Sequence, residues 1–142
     1  AKDDVSGDLL AQKLTDGGFT VKRHASVRDE LLLIRELVRS ASTQNEADVI
    51  VLCGGTGLAP RDVTPEALEP LLDRPLPGFG ERFRALSARE VGSAAWLSRA
   101  GAGVARGRLV VYLPGSSGAV RQALEELLIP ELVHAVRLLG RF

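Results

Sequence analysis

Residues 49–57 read Val-Ile-Val-Leu-Cys-Gly-Gly-Thr-Gly, an apolar run that passes directly into a glycine-rich turn. Four consecutive apolar residues, three of them β-branched, predict a strand buried on both faces, as in the centre of a parallel sheet. A second stretch has the same form, since Leu109–Leu113 leads into Pro114-Gly-Ser-Ser-Gly118. Two such junctions predict an α/β fold whose glycine turns lie at the carboxyl ends of neighbouring strands.

Helical and extended patterns alternate along the rest of the chain, which favours a mostly parallel sheet within one domain, residues 1–142. Phe19–His24 alternates apolar and polar residues, and this predicts a strand. Asp29 is expected to cap the helix that follows. The predicted helices are Leu9–Leu14, Leu32–Ser42, a short one opening at Thr64, Glu81–Leu86, and a long one ending near Leu139 that Pro130 should kink.

The composition excludes several classes of protein. A formal net charge of +0 gives no general attraction to nucleic acid or to an anionic membrane. No segment has 18 continuous apolar residues, and the first residues do not resemble a signal peptide, so the cytoplasm is the expected location. The single cysteine and two distant histidines argue against a disulfide or a zinc site. All three lysines lie in the first 22 residues, which rules out a Walker-type phosphate loop.

The two glycine turns are the candidate binding loops, because glycine lets the backbone approach a ligand and aim several N–H groups at it. The second turn also opens a helix, whose first N–H groups favour an anion, and Ser116 and Ser117 add hydroxyl donors. Asp62 follows the first turn, where a carboxylate would repel phosphate unless Mg²⁺ lay between them. These residues predict a phosphate-containing ligand. Ordinary connecting turns remain an alternative, since many α/β proteins contain them.

A longer string carries a family resemblance. Residues 54–68, Gly-Gly-Thr-Gly-Leu-Ala-Pro-Arg-Asp-Val-Thr-Pro-Glu-Ala-Leu, are similar to the most characteristic motif of the MoaB/Mog family of molybdenum-cofactor proteins. Further matches, in the family's order, are Asp4-Val-Ser-Gly-Asp8, Pro77-Gly-Phe-Gly-Glu81, Leu97-Ser-Arg99 and Leu113–Arg121. The resemblance covers nearly the whole chain. It implies a three-layer α/β/α sandwich, with the family's first strand expected to be absent from these 142 residues.

The resemblance also implies an activity, in which the protein binds molybdopterin and transfers AMP to it from Mg-ATP. Asp62 and Asp29 match acidic positions of the family and are the implied catalytic residues, holding Mg²⁺ directly or through water. The implied substrate- and nucleotide-binding residues are Ser6, Gly7, Gly54, Gly55, Thr56, Gly57, Glu81, Pro114, Gly115, Ser116, Ser117 and Gly118. A homotrimer and a MoeA-type molybdenum-insertion protein are the implied partners.

Two other functions would use the same loops. A non-catalytic carrier would bind and protect molybdopterin without turning over ATP, and a nucleotide-binding oligomerisation domain would have no role with the pterin. Among the six arginines from Arg82 to Arg108, Arg99 is the first candidate to reach a ligand phosphate. Cys53 is interpreted as a small core residue, His24 as a surface or interface group, and Trp96 as packed either in the core or in an interface.

Overall fold

The computed structural model describes residues 4–44 and 47–141 of the chain. The helices are Val5–Asp16 (α1), Leu31–Thr43 (α2), Thr64–Leu68 (α3), Pro77–Val91 (α4), Ser117–Ala123 (α5) and Ile129–Leu138 (α6). The strands are Val49–Cys53 (β1), Arg74–Pro75 (β2), Gly101–Ala105 (β3) and Arg108–Leu113 (β4). Short 3₁₀ turns lie at Glu69–Leu71 and Gly92–Leu97. Within these two stretches of chain, no helix has the length and apolar character needed to cross a membrane.

The four strands form one mixed sheet in the order β1-β4-β3-β2. The two apolar strands, β1 and β4, are parallel neighbours, with Val49 opposite Leu109. The other two pairs are antiparallel, which the expectation of a mostly parallel sheet did not include. For β3 and β4, the reason is the connection between them. It consists of Arg106 and Gly107, which have φ values of 51° and 77°, and two residues at positive φ form the tight turn of a hairpin.

Helices cover both faces of the sheet, so the three-layer α/β/α arrangement is confirmed. Side chains of β4 alternate between the two faces. One face packs against residues of α1, α4, α5 and α6, and the other packs against residues of α2 and α3. The first cluster includes Leu10, Phe83, Leu109, Val111, Leu113, Val120 and Leu132. The second includes Ile34, Val38, Ala67, Leu68, Val110 and Tyr112.

The predicted strand Phe19–His24 is wrong, because this segment pairs with no strand among the described residues. An alternating pattern becomes a strand only when a neighbouring backbone completes the ladder of hydrogen bonds. The nearest candidate, β1, was predicted to be a central strand buried on both faces, and this too is wrong: β1 is the edge strand of the described sheet, and all five of its residues are half-buried. A cavity of about 880 Å³ lies between them, lined by the segment, by β1, and by apolar side chains of α1, α2 and α6.

The predicted cap of α2 is also wrong. The helix begins at Leu31 after Glu30, and neither Glu30 nor Asp29 supplies a side-chain cap. The other helices contain the predicted segments, and Thr64 opens α3 with Pro65 in its first turn. The long C-terminal helix is interrupted before Pro130 by a π-helical stretch, Leu124–Leu128. Because proline lacks an N–H and clashes with the carbonyl four residues back, this wider turn accommodates it. The predicted disruption at Pro130 therefore takes the form of a π-helical stretch.

Asp4 is the N-cap of α1 and also contacts the segment that follows this helix. Its carboxylate accepts a hydrogen bond from Gly7 N at 2.9 Å, and its Oδ2 lies 3.3 Å from both His24 Nε2 and Ser26 Oγ. The Gly7 bond, together with His24 and Ser26, holds the pKa of the Asp4 carboxyl below its ordinary value. The carboxylate therefore stabilises the folded chain when it is ionised.

We expect Asp4→Ala to lower the free energy of unfolding at pH 7 by about 1 kcal/mol, the usual loss of an N-cap. The folded pKa lies below the unfolded one, so the contribution is complete above the unfolded pKa and is lost as the pH falls through the folded value. Urea denaturation at several pH values should show the difference shrinking in acid. Asp16→Ala, at the exposed end of the same helix, is the control. A difference that is the same at every pH would contradict this account.

Candidate functional site

The two glycine loops lie side by side where β1 and β4 end. The parallel register places Cys53 opposite Leu113, so the chain leaves both strands at the same edge of the sheet. Gly54 N donates to Leu113 O at 2.8 Å. A Cβ added to Gly115 would lie 3.4 Å from Gly54 Cα, so the loops are in backbone contact. The expectation that the two turns lie at the carboxyl ends of neighbouring strands is therefore confirmed.

A cavity of about 290 Å³ lies between the loops. Its walls are Gly55, Thr56, Gly57, Asp62, Leu97, Ser98, Pro114 and Gly115. Leu97 and Ser98 were not among the predicted site residues. They reach the cavity because Arg99 N donates to Thr56 O at 2.9 Å, which ties their segment to the first loop. The signal in the sequence was the matching string Leu97-Ser-Arg99, although it did not indicate which of its side chains would line the site.

The first turn has a backbone that only glycine adopts easily. Gly54 and Gly55 have φ values of 107° and 71°. Thr64 fastens both of them, since its Oγ1 donates to Gly54 O at 2.9 Å and its N donates to Gly55 O at 3.1 Å. A Cβ on Gly55 would lie 2.3 Å from Thr64 Oγ1. The turn is therefore specified both by positive φ and by the close approach of Thr64.

Three successive backbone N–H groups of the first turn are available to a ligand. The N–H groups of Gly55, Thr56 and Gly57 donate no hydrogen bond to any described residue. The carbonyls of Thr56 and Gly57, in contrast, accept bonds from Arg99. All three residues line the cavity, and unpaired backbone donors beside a cavity suit an anion, because each buried donor requires an acceptor.

The Asp62 side chain shares this cavity with the free N–H groups. Its Oδ2 accepts a hydrogen bond from Ala59 N at 3.0 Å, which closes the turn between Gly57 and Asp62. A Cβ on Gly57 would come within 2.8 Å of that oxygen, so the glycine permits the approach. Oδ1 accepts no hydrogen bond from the described residues. One carboxylate oxygen thus has no hydrogen-bond partner among the described residues, in the cavity that the three unpaired amides also line.

The two predicted catalytic aspartates do not line a common cavity. Asp29 is exposed and lines the larger cavity beside β1, together with Gly54. In residues 4–44 and 47–141, no group of three or more His, Cys, Asp or Glu residues could hold a metal ion. Mg²⁺ is often bound through one or two carboxylates together with phosphate oxygens and water. The residues present therefore fit a Mg²⁺ that is bound together with a phosphate ligand, with Asp62 as its protein ligand.

The second loop is held by α1 and by its own helix. Ser6 Oγ donates to Gly115 O at 2.5 Å, and Ser116 is the N-cap of α5, accepting from Ala119 N at 3.3 Å. Gly7 is buried next to Asp4, whose carboxylate a Cβ would meet at 2.1 Å. Ser6 thus supports the loop, whereas Gly7 contacts Asp4 and lines the larger cavity, and neither residue lines the cavity between the loops.

The remaining predicted residues have diverse positions. Ser117 and Gly118 form the first turn of α5. Glu81 is exposed on α4 and lines neither cavity.

Three single residues have outcomes of their own. Burial is the main cause that raises the pKa of the Cys53 thiol, and Asp4 adds to it, which supports a packing role. Trp96 is 74% exposed, which excludes the core interpretation. Arg99 faces the backbone of the first loop rather than open space.

Comparison with known proteins matches this chain along nearly its full length. The family described as "Probable molybdopterin binding domain" matches residues 1–134. Molybdenum cofactor biosynthesis protein B of Bacillus subtilis is 47% identical over 135 residues, which is 94% of this chain and 79% of the relative. A crystal structure of a molybdenum cofactor biosynthesis protein B has a TM-score of 0.93 at 43% identity, covering 98% of this chain and 87% of that one. The tungsten cofactor synthesizing protein MoaB from Pyrococcus furiosus has a TM-score of 0.89 at 37% identity, covering 99% and 88%.

Proposed function

Because the chain belongs to the family of molybdenum cofactor biosynthesis protein B, we propose that it binds molybdopterin and transfers AMP to it from Mg-ATP. A role in molybdenum-cofactor biosynthesis follows from the family. The observation that carries the finer proposal is the row of unpaired N–H groups at Gly55, Thr56 and Gly57 beside the Asp62 carboxylate. Anion donors and a carboxylate in one small cavity suit phosphate chemistry that involves a divalent cation.

The volume of the cavity limits how much of the two substrates it can hold. Pockets for small molecules usually measure roughly 300–1,000 Å³, and this one measures about 290 Å³. Two whole substrates do not fit in that volume. We therefore place only the reacting phosphates in the cavity, with the pterin ring and the nucleoside lying against the surface on either side.

In the proposed reaction, a terminal phosphate oxygen of molybdopterin attacks the α-phosphorus of ATP. The new bond joins that oxygen to the α-phosphorus, and the bond to the bridging oxygen breaks, so that pyrophosphate leaves with the electron pair. The two substrates are anions that repel each other, and backbone donors of the first loop would hold them in line. Mg²⁺ would supply positive charge between the phosphates, and Asp62 is the residue that would hold it.

The test is incubation of the purified chain with molybdopterin and Mg-ATP, followed by detection of AMP-linked pterin and of pyrophosphate. We expect the two products in equal amounts. Pterin binding without AMP-linked product would overturn the transfer proposal in favour of a carrier. Nucleotide binding without pterin binding would favour the oligomerisation domain instead.

The family resemblance and one exposed surface support a homotrimer. Trp96 is 74% exposed, and its neighbours along the chain, Val91 and Leu97, are 53% and 39% exposed. Exposed apolar patches that contain an aromatic residue are typical of subunit contacts. We propose that this patch forms the trimer contact. A MoeA-type molybdenum-insertion protein, which would consume the AMP-linked pterin, remains a predicted partner.

We expect Trp96→Glu to shift the sedimentation of the protein from trimer to monomer at micromolar concentration, because a buried unpaired carboxylate opposes association. Leu138→Glu is the matched control, since Leu138 is 75% exposed near the end of α6. This control should remain trimeric. A monomeric wild-type protein, or a trimer that Trp96→Glu leaves intact, would contradict the assignment.

A further inference from the structure

We infer that Arg99 is a positioning residue that holds the turn Gly57–Asp62, and with it the Asp62 carboxylate, against the cavity between the loops. The inference builds on the proposed function, because it assigns a support to the residue that would hold the metal. It replaces the expectation that Arg99 reaches a ligand phosphate.

The contacts of Arg99 span both ends of this turn. Its Nε and Nη2 donate to Gly57 O at 3.0 and 2.9 Å, and the same Nη2 donates to Asp62 O at 2.8 Å. Its backbone N donates to Thr56 O at 2.9 Å. One side chain therefore fixes the residue where the turn leaves the cavity wall and the residue where it returns.

Apart from Arg99, the nearest described anchor of this turn is Thr64, whose bonds to the first loop lie two residues past the end of the turn. The four residues between Gly57 and Asp62 are all exposed, and Leu58 exposes 64% of its surface. Inside the turn, the bonds Asp62 N to Ala59 O and Ala59 N to Asp62 Oδ2 fix its shape but not its place on the domain. Without buried apolar anchors, a segment of this kind opens locally at low free energy. Among the described residues, the guanidinium is thus the polar link from the turn itself to the segment that precedes β3.

Glu66 on α3 completes the arrangement. Its Oε2 lies 2.5 Å from Arg99 Nη1, so each of the three guanidinium nitrogens has a protein partner. The pair lowers the pKa of the Glu66 carboxyl and raises that of Arg99, as expected for two groups that stabilise each other's charge. A planar fork with several donors can satisfy two carbonyls and a carboxylate at once. A lysine ammonium cannot span these positions.

The test compares Arg99→Lys with Asp62→Asn in a double-mutant cycle. We expect Arg99→Lys to lower kcat for AMP transfer by about 10- to 100-fold, since misplacing a catalytic group by about 1 Å has that effect. The dissociation constants for molybdopterin and for ATP should change by less than about threefold. The double variant should be no slower than Asp62→Asn alone, because Arg99 acts through Asp62.

Two further variants distinguish positioning from general stability. Glu66→Gln keeps an acceptor for Arg99 but removes the charge, so we expect a smaller loss of kcat with the same non-additivity. Arg108→Lys is the matched control. Arg108 also donates to two backbone carbonyls, those of Ala47 and Arg106, at the opposite end of β4. It should leave kcat unchanged even if the protein is less stable.

Amide hydrogen exchange gives a measurement that needs no substrate. Peptides covering residues 57–63 should exchange about tenfold faster in Arg99→Lys than in wild type or Arg108→Lys. If the wild-type chain makes no AMP-linked pterin, the proposed function fails and exchange still decides whether Arg99 holds the turn. Wild-type exchange in Arg99→Lys would overturn the inference. The inference would also be overturned if Arg99→Lys bound either substrate tenfold more weakly at unchanged kcat. It would be overturned as well if the loss of kcat in Arg99→Lys added fully to the loss in Asp62→Asn.

Discussion

Asp62→Asn should slow AMP transfer by at least about 100-fold, the scale on which removing one charge-stabilising group acts in an enzyme site. Affinity for molybdopterin should change by less than about threefold. The substitution removes the negative charge that would hold Mg²⁺, while the asparagine oxygen can still accept the hydrogen bond that Asp62 Oδ2 accepts from Ala59 N. The turn therefore keeps its closing bond, and the loss is one of charge rather than of structure.

The chain offers a matched control in Asp73→Asn. Asp73 Oδ2 also accepts a backbone N–H, that of Arg106 at 2.9 Å, but at the hairpin turn of β3 and β4, the end of β4 opposite the glycine loops. Single-turnover transfer assays with saturating Mg-ATP compare the two variants. Transfer at the wild-type rate by Asp62→Asn would remove the residue from the mechanism. A full loss in Asp73→Asn would show that the assay reports stability.

Asp29 is tested in the same assay. Its role as a second Mg²⁺ ligand remains a prediction, and Asp29 lines the larger cavity whereas Asp62 lines the smaller one. If both carboxylates hold one cation during transfer, Asp29→Asn should show a loss close to that of Asp62→Asn, and raising the Mg²⁺ concentration should restore part of the rate in each. A wild-type rate for Asp29→Asn would leave Asp62 as the single acidic ligand.

Gly55→Val should have the second large effect, weakening by at least about tenfold the binding of the phosphate ligand that the first loop holds. A β-branched residue is strained at a φ of 71°, at a cost of roughly 1–3 kcal/mol. In addition, its Cβ would lie 2.3 Å from Thr64 Oγ1, so the turn has to move. Movement of Gly55 also moves the free N–H groups of Thr56 and Gly57 that follow it.

Gly107→Val is the control that separates backbone strain at positive φ from displacement of the first loop. Gly107 has a φ of 77°, nearly that of Gly55, but a Cβ there meets no atom within 4 Å. Both variants should be less stable, and only Gly55→Val should bind more weakly in titrations of folded protein with molybdopterin and with ATP. Gly55→Ala gives a milder form of the same change. Unchanged affinity for both ligands in either folded Gly55 variant would reduce the turn to a connector.

The sequence by itself determined the α/β class, the two apolar strands and the loops that follow them. Runs such as 49–53 and 109–113 are apolar on both faces, a pattern that predicts strands between two layers of helices. The structure buries the second run fully in β4, whereas the first run is half-buried in the edge strand β1. Parallel pairing in register then brings their carboxyl ends together. Gly54 and Gly55 have positive φ, which is a local requirement of the backbone. The sequence could therefore indicate a turn there without knowledge of the tertiary contacts.

Only the tertiary structure decided which residues that are distant in sequence contact each other. Phe19–His24 has the pattern of a strand, but no described strand lies beside it to complete a ladder. The sequence made Arg99 a candidate to bind a ligand phosphate. In the fold its side chain instead donates to backbone carbonyls of the first loop, about 40 positions away in sequence. Ser98 lies in the cavity and Asp29 lines a different one for the same reason. Periodicity in a sequence reports which face of a segment is buried, whereas hydrogen-bond partners depend on what packing brings to that face.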